Sequence, residues 1–348
     1  MTANASRRSI RSLMRKVEKG QKLNILTFAT HERYEHNLCK TGHNFYSLKF
    51  GKEWDTDYAP IPSNYHIVDS LPEFVDFDLF LSHTSCGRLN LGHDLLSRTQ
   101  ESPTNRVSIP ILRHCHVLPD IRYNSQEEIR RFKSILTDCN SFISDFNKQA
   151  WGYQNEKNTA VIEHGVDTDF WKPDEAIERD NVCLSVVNDW PNRDWCCGFN
   201  LWQKTAHDLP LRVFGKSPGL SEAARDTNHL REIYQSSSIF YNTSIHSPVP
   251  TVLMEAMACG CAIVSTATCM IPEVIKHGES GLISNNATEL RAYLELLVNN
   301  PTLARKLGNN ARKRIEDHYN LNKFTDSWNN LFYKTIENYS DVTMGEQQ

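Results

Sequence analysis

Short apolar runs alternate with longer amphipathic stretches along most of this chain, and they do so in two sets. In the first set, LNILTFA (23–29), the end of EFVDFDLFLSH (73–83), VSIPIL (107–112), NSFISD (140–145) and TAVIEHG (159–165) read as strands. EEIRRFKSILTDC (127–139) reads as a helix with Ile129, Phe132 and Leu136 on one face. In the second set, the strands are NVCLSVV (181–187), LRVFG (211–215), SIFYNTS (238–244) and CAIVST (261–266), and helical stretches at 198–208, 229–237 and 251–259 lie between them. This alternation predicts α/β architecture, with parallel strands joined by helices that cover both faces of a sheet. Two sets separated by a polar stretch, DTDFWKPDEAIERD (167–180), predict two Rossmann-like doubly wound domains facing a cleft, with the stretch itself as a linker. The expected boundaries are a basic extension at 1–22, an N-terminal domain at 23–173 and a C-terminal domain at 174–325. Ligands of such folds bind beyond the carboxyl ends of the strands.

Composition limits the alternatives. Of 348 residues, 39% are hydrophobic and 23% charged, which fits a soluble globular chain and excludes a disordered or fibrous one. No run approaches the roughly 18 apolar residues of a membrane-spanning helix. The start, MTANASRRSI, shows no apolar stretch of the secretory kind, and the ten cysteines follow no framework spacing. Reduced thiols and a cytoplasmic location, peripheral at a membrane if anything, are the expectation. Residues 1–22 carry seven Lys or Arg against Glu18, a local +6 in a chain of net charge −4, so the rest holds about −10. Ile10, Leu13, Met14 and Val17 fall at helical spacing within this leader. A basic amphipathic helix there would suit an anionic membrane or a nucleic acid; a solvated leader and a transit peptide are the other readings.

The most informative stretch is SIHSPVPTVLMEAMACGCAIVSTATCMIPEVIKHGESGLI (244–283). A strand ending near Thr243 leads through a Pro-rich loop into a helix opening at Pro250 or Thr251 and stopping at Gly260. The open N–H groups at such a helix start form an anion site, which fits a diphosphate. Glu255 lies one turn in, with apolar neighbours on both sides, and a carboxylate there can accept two hydrogen bonds from the vicinal hydroxyls of a ribose.

Here the chain resembles the retaining GT-B glycosyltransferases of glycosyltransferase family 4 (group 1). The residues that carry the likeness are EAMACG (255–260), IPEVI (271–275), GESGL (278–282), IEHGVDTDFWKP (162–173), IPILRHCH (109–116), TGHNF (41–45) and DSWNNLFYKTIENY (326–339), the last resembling the family's final helix, which crosses back to the first domain, leaving 326–348 as crossing helix and tail. The resemblance implies transfer of a sugar from a nucleotide diphosphate donor, UDP- or GDP-linked, to an acceptor hydroxyl with retention of configuration and no metal or other cofactor. By that likeness the C-terminal domain holds the nucleotide sugar and the N-terminal domain the acceptor. Glu255 matches the acid that binds the donor ribose. The family's first Glu falls on Ser247, beside His246. Arg193 and Lys216 are the cations for the diphosphate, and Val249, Thr251 and Val252 lie at the helix start that receives it. His116, favoured over His114 by spacing from Pro110, matches the histidine that bonds to the donor sugar or positions the acceptor hydroxyl. His31, Arg33, His83, Ser85 and Arg88 are acceptor-side candidates.

The sequence departs from the family at two places: the Gly-rich turn after the first strand is replaced by ATHERYE (29–35), and the first Glu is missing. Asp-x-Asp at 55–57, 76–78 and 167–169 is read as structural, and Cys196-Cys197 and Cys259-x-Cys261 lack zinc spacing. The expected partners are a nucleotide sugar and a glycan or lipid-linked acceptor. One alternative is a glycosyltransferase acting on hydroxymethylated DNA bases, for which Arg88, Arg106, Arg113, Arg122, Arg130, Arg131 and Lys133 would form the basic track. Another is a non-catalytic nucleotide-sugar-binding module.

Overall fold

The computed structural model describes residues 17–28, 31–49, 53–72, 75–84 and 109–345. The chain forms two compact units. One comprises His164–Lys323; the other comprises the residues up to Glu163 together with those from Phe324 onward. The first unit contains β1 (Asn24–Thr27), α1 (Glu32–Cys39), β2 (Asn44–Leu48), β3 (Tyr65–Val68), β4 (Leu79–Thr84), β5 (Ile111–Cys115), α2 (Ser125–Ser134), β6 (Cys139–Phe142), α3 (Asp145–Ala150) and β7 (Thr159–Val161). Its described strands pair in parallel in the order β3-β2-β1-β4-β5-β6-β7, so the direction of strand addition reverses between β1 and β4.

The second unit contains β8 (Asp180–Val186), a 3-10 turn at Pro191–Arg193, α4 (Asp194–Cys197), α5 (Phe199–Ala206), β9 (Leu211–Phe214), α6 (Thr227–Gln235), β10 (Ser237–Asn242), α7 (Thr251–Ala258), β11 (Ala262–Ser265), α8 (Ile271–Val274), β12 (Leu282–Ile283), α9 (Ala287–Val298) and α10 (Pro301–His318). Its sheet runs β12-β11-β10-β8-β9, again parallel, and reverses between β8 and β10. The final helix, α11 (Leu321–Gly345), starts in the second unit and belongs from Phe324 with the first. Among the described residues, no helix is long and apolar enough to cross a membrane.

Side-chain alternation explains why the second sheet is covered twice. Successive residues of a strand point to opposite faces. Accordingly Leu184 and Phe240 join one apolar cluster with Leu253, Met254 and Met257 of α7, while Cys183, Ile239 and Tyr241 join another with Trp190, Trp202 and Leu290. Strands buried on both faces carry few polar residues, which is why this half reads as unbroken apolar runs.

Several expectations change. The expected helix over 127–139 ends at Ser134, and Leu136 is 80% exposed. The chain must extend after Ser134 because Asp138 bonds to the first residue of β5: its carboxylate accepts from the Ile111 N–H at 2.8 Å, and its N–H donates to the Ile111 carbonyl. The strand expected at 107–112 lies instead at Ile111–Cys115 and so includes Arg113 and His114. β2 and β3 are strands that apolar alternation did not announce. The stretch expected as a linker is anchored in packed structure: just before it the Val166 N–H donates to the Tyr319 carbonyl at 2.8 Å, and within it Trp171 lies in the second unit's core. The units therefore divide at Glu163/His164, ahead of that stretch.

Arg113 is buried. Its Nε donates to Asn140 Oδ1 at 2.8 Å, Nη1 to the Phe132 carbonyl at 2.7 Å and Nη2 to Tyr153 Oη at 3.0 Å, and its guanidinium stacks on the Phe132 ring. It is a structural cation and cannot serve in a basic track. The basic extension and Ser85, Arg88 and Arg106 lie outside the described residues, apart from residues 17–22.

Two predictions follow from packing and burial. A Cβ at Gly308 in α10 would stand 2.1 Å from the Gly260 carbonyl oxygen beyond α7. Replacing a mid-helix Gly by Ala ordinarily stabilises by about 1 kcal/mol. Here Gly308→Ala should destabilise by about 1–3 kcal/mol through overpacking, read as a lower urea midpoint. His43 Nδ1 accepts from the Leu23 N–H at 3.2 Å, and burial pushes this imidazole down to about 4. The unfolded chain binds a proton at His43 near pH 6.5 and the folded one does not until about 4. Stability should therefore fall as pH drops across that window, and His43→Gln should flatten the fall.

Candidate functional site

The second unit gathers its candidate residues where its strand order reverses, at the carboxyl ends of β8, β9 and β10. The loop after β8 and the loop after β9 are tied by one side chain, Asn188. Its carbonyl oxygen accepts from Arg193 Nη1 at 3.2 Å, and its Oδ1 accepts from the Lys216 N–H at 2.8 Å. A second tie runs from the Asp189 N–H to the Lys216 carbonyl at 2.8 Å. Asp189 sits in the left-handed region at φ 52°, and its Oδ1 accepts from Asn192 Nδ2 at 2.7 Å. The Arg193 guanidinium and the Lys216 main chain, both at exposed residues, are thus held on the same Asn188 turn. Gly215, at φ 116°, permits this closeness, since a Cβ there would stand 2.1 Å from the Val187 carbonyl oxygen.

The loop after β10 is fastened to the same region through two carbonyl groups. Cys196 O accepts from the Ile245 and His246 N–H groups at 2.8 and 3.1 Å, and Cys197 O from Trp190 Nε1 and Thr243 Oγ1, both at 2.9 Å. The His246 ring lies 6.1 Å from that of Trp195. Pro250, expected as the first helical residue or the one before it, caps α7, and the helix begins at the exposed Thr251. No side chain of the cap residue bonds back to the first turn. Ser247 and Val252 are half-buried. Val249 packs its side chain in the core, so it can offer a ligand only its main chain.

Glu255 is 6% exposed, one turn into α7, and its Oε2 accepts from Tyr234 Oη of α6 at 3.3 Å. A buried carboxylate is costly unless hydrogen-bonded, and the tyrosine both meets part of that cost and orients it. Asn188 and Tyr234 escaped the sequence reading. An Asn-Asp pair closing an apolar strand is a turn signal, but its loop-tying role depends on β9 and is invisible locally.

The first unit's candidates converge at its own reversal point, beside β1 and β4. His83, His114 and Ser141 stand in register across β4, β5 and β6, and His116 lies two residues beyond His114. His114 is fully buried and both ring nitrogens are engaged: Nδ1 with Ser141 Oγ at 2.8 Å and Nε2 with Tyr34 Oη of α1 at 2.9 Å. Trp328 of α11 packs against its ring at 4.8 Å. His116 is half-buried, and its Nε2 lies 2.9 Å from His83 Nδ1. His83 Nε2 in turn lies 3.5 Å from Glu35 Oε1. Burial pushes His83 down to about 3, so the ring is neutral at ordinary pH. His31 is exposed at the start of α1, 6.2 Å ring to ring from Tyr58, and Arg33 is half-buried on the same helix. Among the described residues, no group of three or more His, Cys, Asp or Glu side chains could hold a metal ion.

Comparison with known proteins places this geometry. The family described as glycosyl transferases group 1 matches residues 223–314, which include α7 and Glu255. An uncharacterised glycosyltransferase of Haemophilus influenzae is 33% identical over 219 residues, 56% of this chain and 62% of that protein. An alpha-maltose-1-phosphate synthase of Mycolicibacterium smegmatis is 31% identical over 125 residues, 34% of this chain and 30% of that protein. The chain thus spans less than two thirds of either relative. In fold it is similar to HepE of Anabaena solved with UDP and glucose (TM-score 0.68, 14% identity, 88% of this chain and 98% of that one). It is equally similar to sucrose-phosphate synthase of Thermosynechococcus elongatus (TM-score 0.68, 15% identity, 93% and 100%). Residues 223–314 thus match the group 1 glycosyltransferases, and the two parallel doubly wound sheets share the GT-B fold of these structures.

Proposed function

We propose that the protein transfers a sugar from a nucleotide diphosphate donor to an acceptor hydroxyl with retention of configuration. The observation that carries this reading is the tie through Asn188, which holds two exposed cations, Arg193 and Lys216, at the same sheet edge as the uncapped start of α7. A departing diphosphate needs such preorganised positive charge. In this reading Arg193, Lys216 and the Thr251 and Val252 N–H groups take the diphosphate, and Glu255 takes the ribose hydroxyls. Ser247 and His246 stand in for the family's first acid toward the donor sugar. His116 bonds to a sugar or acceptor hydroxyl, while His114, saturated and buried, supports it. The diphosphate charge is met by these groups, and the reaction needs no metal.

The donor to test first is UDP-glucose, because the Anabaena neighbour was solved with UDP-glucose. The acceptor we favour is a glycan or a lipid-linked glycan. The DNA alternative is weaker, since Arg113 is buried, Arg122 pairs with Asp120 and Lys133 with Glu156.

Calorimetric titration with UDP-glucose tests the donor site. Glu255→Ala and Arg193→Ala should each weaken binding at least tenfold, about 1.4 kcal/mol, as expected for charge-assisted bonds. Unchanged affinity in both would remove the assignment. Turnover of the donor should also survive EDTA; its loss, restored by a divalent cation, would refute the metal-free step.

A further inference from the structure

The first unit holds a cavity that the reaction above does not use. It lies at the amino ends of β1 and β2, the end of that sheet opposite the imidazole cluster, and measures about 600 Å3. Lys19 and Lys22 ahead of β1, His43 ahead of β2, and Asp326, Asn329 and Asn330 on α11 line it. Its walls are fastened: Tyr333 Oη of α11 donates to the Gln21 carbonyl at 2.8 Å, and Thr41 Oγ1 to the Leu38 carbonyl at 2.7 Å. A space of this size suits a small molecule and far exceeds one water.

His43 is 3% exposed, and its ring is fixed. Nδ1 accepts from the Leu23 N–H at 3.2 Å, and Phe332 and Tyr333 stand edge-on to the ring at 5.6 and 5.7 Å. Burial above all keeps the imidazole neutral, with Asn329 favouring a further proton and Lys22 opposing it. A neutral ring that accepts at Nδ1 carries its proton on Nε2. That Nε2–H is buried and makes no hydrogen bond; Asn329 Oδ1, buried in the same wall, makes none either. A fixed donor and a fixed acceptor therefore border one cavity, each costly unless a molecule in the cavity meets it.

The chemistry of the lining narrows the choice of molecule. A hydroxyl accepts from Nε2–H and donates to Oδ1, so one group satisfies both. An anionic oxygen only accepts, and would leave Asn329 unmet. Lys19 and Lys22 are exposed cations on the rim, suited to a phosphate group. Asp326 repels a bare anion but accepts from a hydroxyl. The set fits a phosphate that carries hydroxyls nearby.

We infer that this cavity binds a phosphorylated polyol, with its phosphate on Lys19 and Lys22 and one hydroxyl bridging His43 Nε2–H and Asn329 Oδ1. Every lining residue belongs to the first unit and every donor-site residue to the second, so the inference does not rest on the sugar-transfer reading. The same chemistry occurs free, as a sugar phosphate, and as the glycerol headgroup of a lipid.

Calorimetric titration of the full chain with glucose 6-phosphate should show binding that Lys22→Ala and Asn329→Ala each weaken about tenfold. Lys22 is exposed, so its variant keeps the test independent of folding. Inorganic phosphate, which has no polyol, should bind about tenfold more weakly than the sugar phosphate. In protein carrying 15N-labelled histidine, glucose 6-phosphate should shift the His43 Nε2–H signal, identified by its loss in His43→Gln. Flotation with phosphatidylcholine vesicles containing phosphatidylglycerol or, at equal charge, phosphatidylserine separates the two sources. A preference for phosphatidylglycerol that Asn329→Ala abolishes assigns the headgroup; glucose 6-phosphate binding without that preference assigns the free compound. Inorganic phosphate binding as tightly as glucose 6-phosphate, or affinities unchanged in both variants, would overturn the proposal. A His43 signal that neither the sugar phosphate nor the phosphatidylglycerol vesicles move would overturn it too, leaving water alone between Nε2–H and Oδ1.

Discussion

Burying both faces of a parallel sheet is the constraint from which the rest of this molecule follows. Every crossover must run outside the sheet, and every strand must deliver its chain to the same edge. In the second unit that edge receives the loops after β8, β9 and β10, and the reversal between β8 and β10 keeps the helices of those two strands apart. Backbone groups buried between those loops need partners inside the protein. Asn188, Cys196 and Cys197 supply the missing partners, and in doing so they set the positions of Arg193, Lys216 and the entry to α7. Lys216 is thus located through its main chain, and Arg193 through its guanidinium on the Asn188 carbonyl.

How much of this is legible in the sequence varies with how local its cause is. Residues 251–258 and Glu255 can be read because the evidence is local: a proline before the helix, a glycine after it, and one acid in an apolar run. The double cover of the second sheet is likewise written into continuous apolar strands. What escapes depends on distant partners. Leu136 looks like a helical core residue until Asp138 is seen to be needed at β5, which pulls the chain straight after Ser134. Arg113 looks like a surface cation because nothing nearby in sequence shows that Asn140, the Phe132 carbonyl and Tyr153 will surround it. β2 and β3 carry mixed sequences, since β2 buries only one face and β3 only Tyr65, and mixed strands leave a weak signal.

The histidines show the same divide in finer form. Spacing from Pro110 favours His116 over His114, and the structure supplies a reason of its own for treating them differently. Both lie on one face of the chain at β5, two residues apart. His114 is inside the strand, in register with His83 and Ser141, so its two nitrogens are taken by neighbours on either side. His116 stands just past the strand end, where the sheet no longer encloses it. One position further along the same face converts a saturated structural ring into a half-buried one.

Beside these histidines α1 buries an acid, Glu35, completely. A charge hidden from water is retained at a stability cost of several kcal/mol unless something nearby responds to it. In α1 the acid stands 3.5 Å from His83 Nε2, and His83 Nδ1 lies 2.9 Å from Nε2 of the half-buried His116. Where the family the sequence resembles has a Gly-rich turn after β1, this chain has a segment in which His31, Glu32, Arg33, Tyr34 and Glu35 open α1. A glycine turn offers backbone N–H groups close to a ligand. A helix bearing Tyr34 and Glu35 offers oriented side chains behind two histidines instead, and so moves the means of organising this edge from the main chain to a set of ring nitrogens.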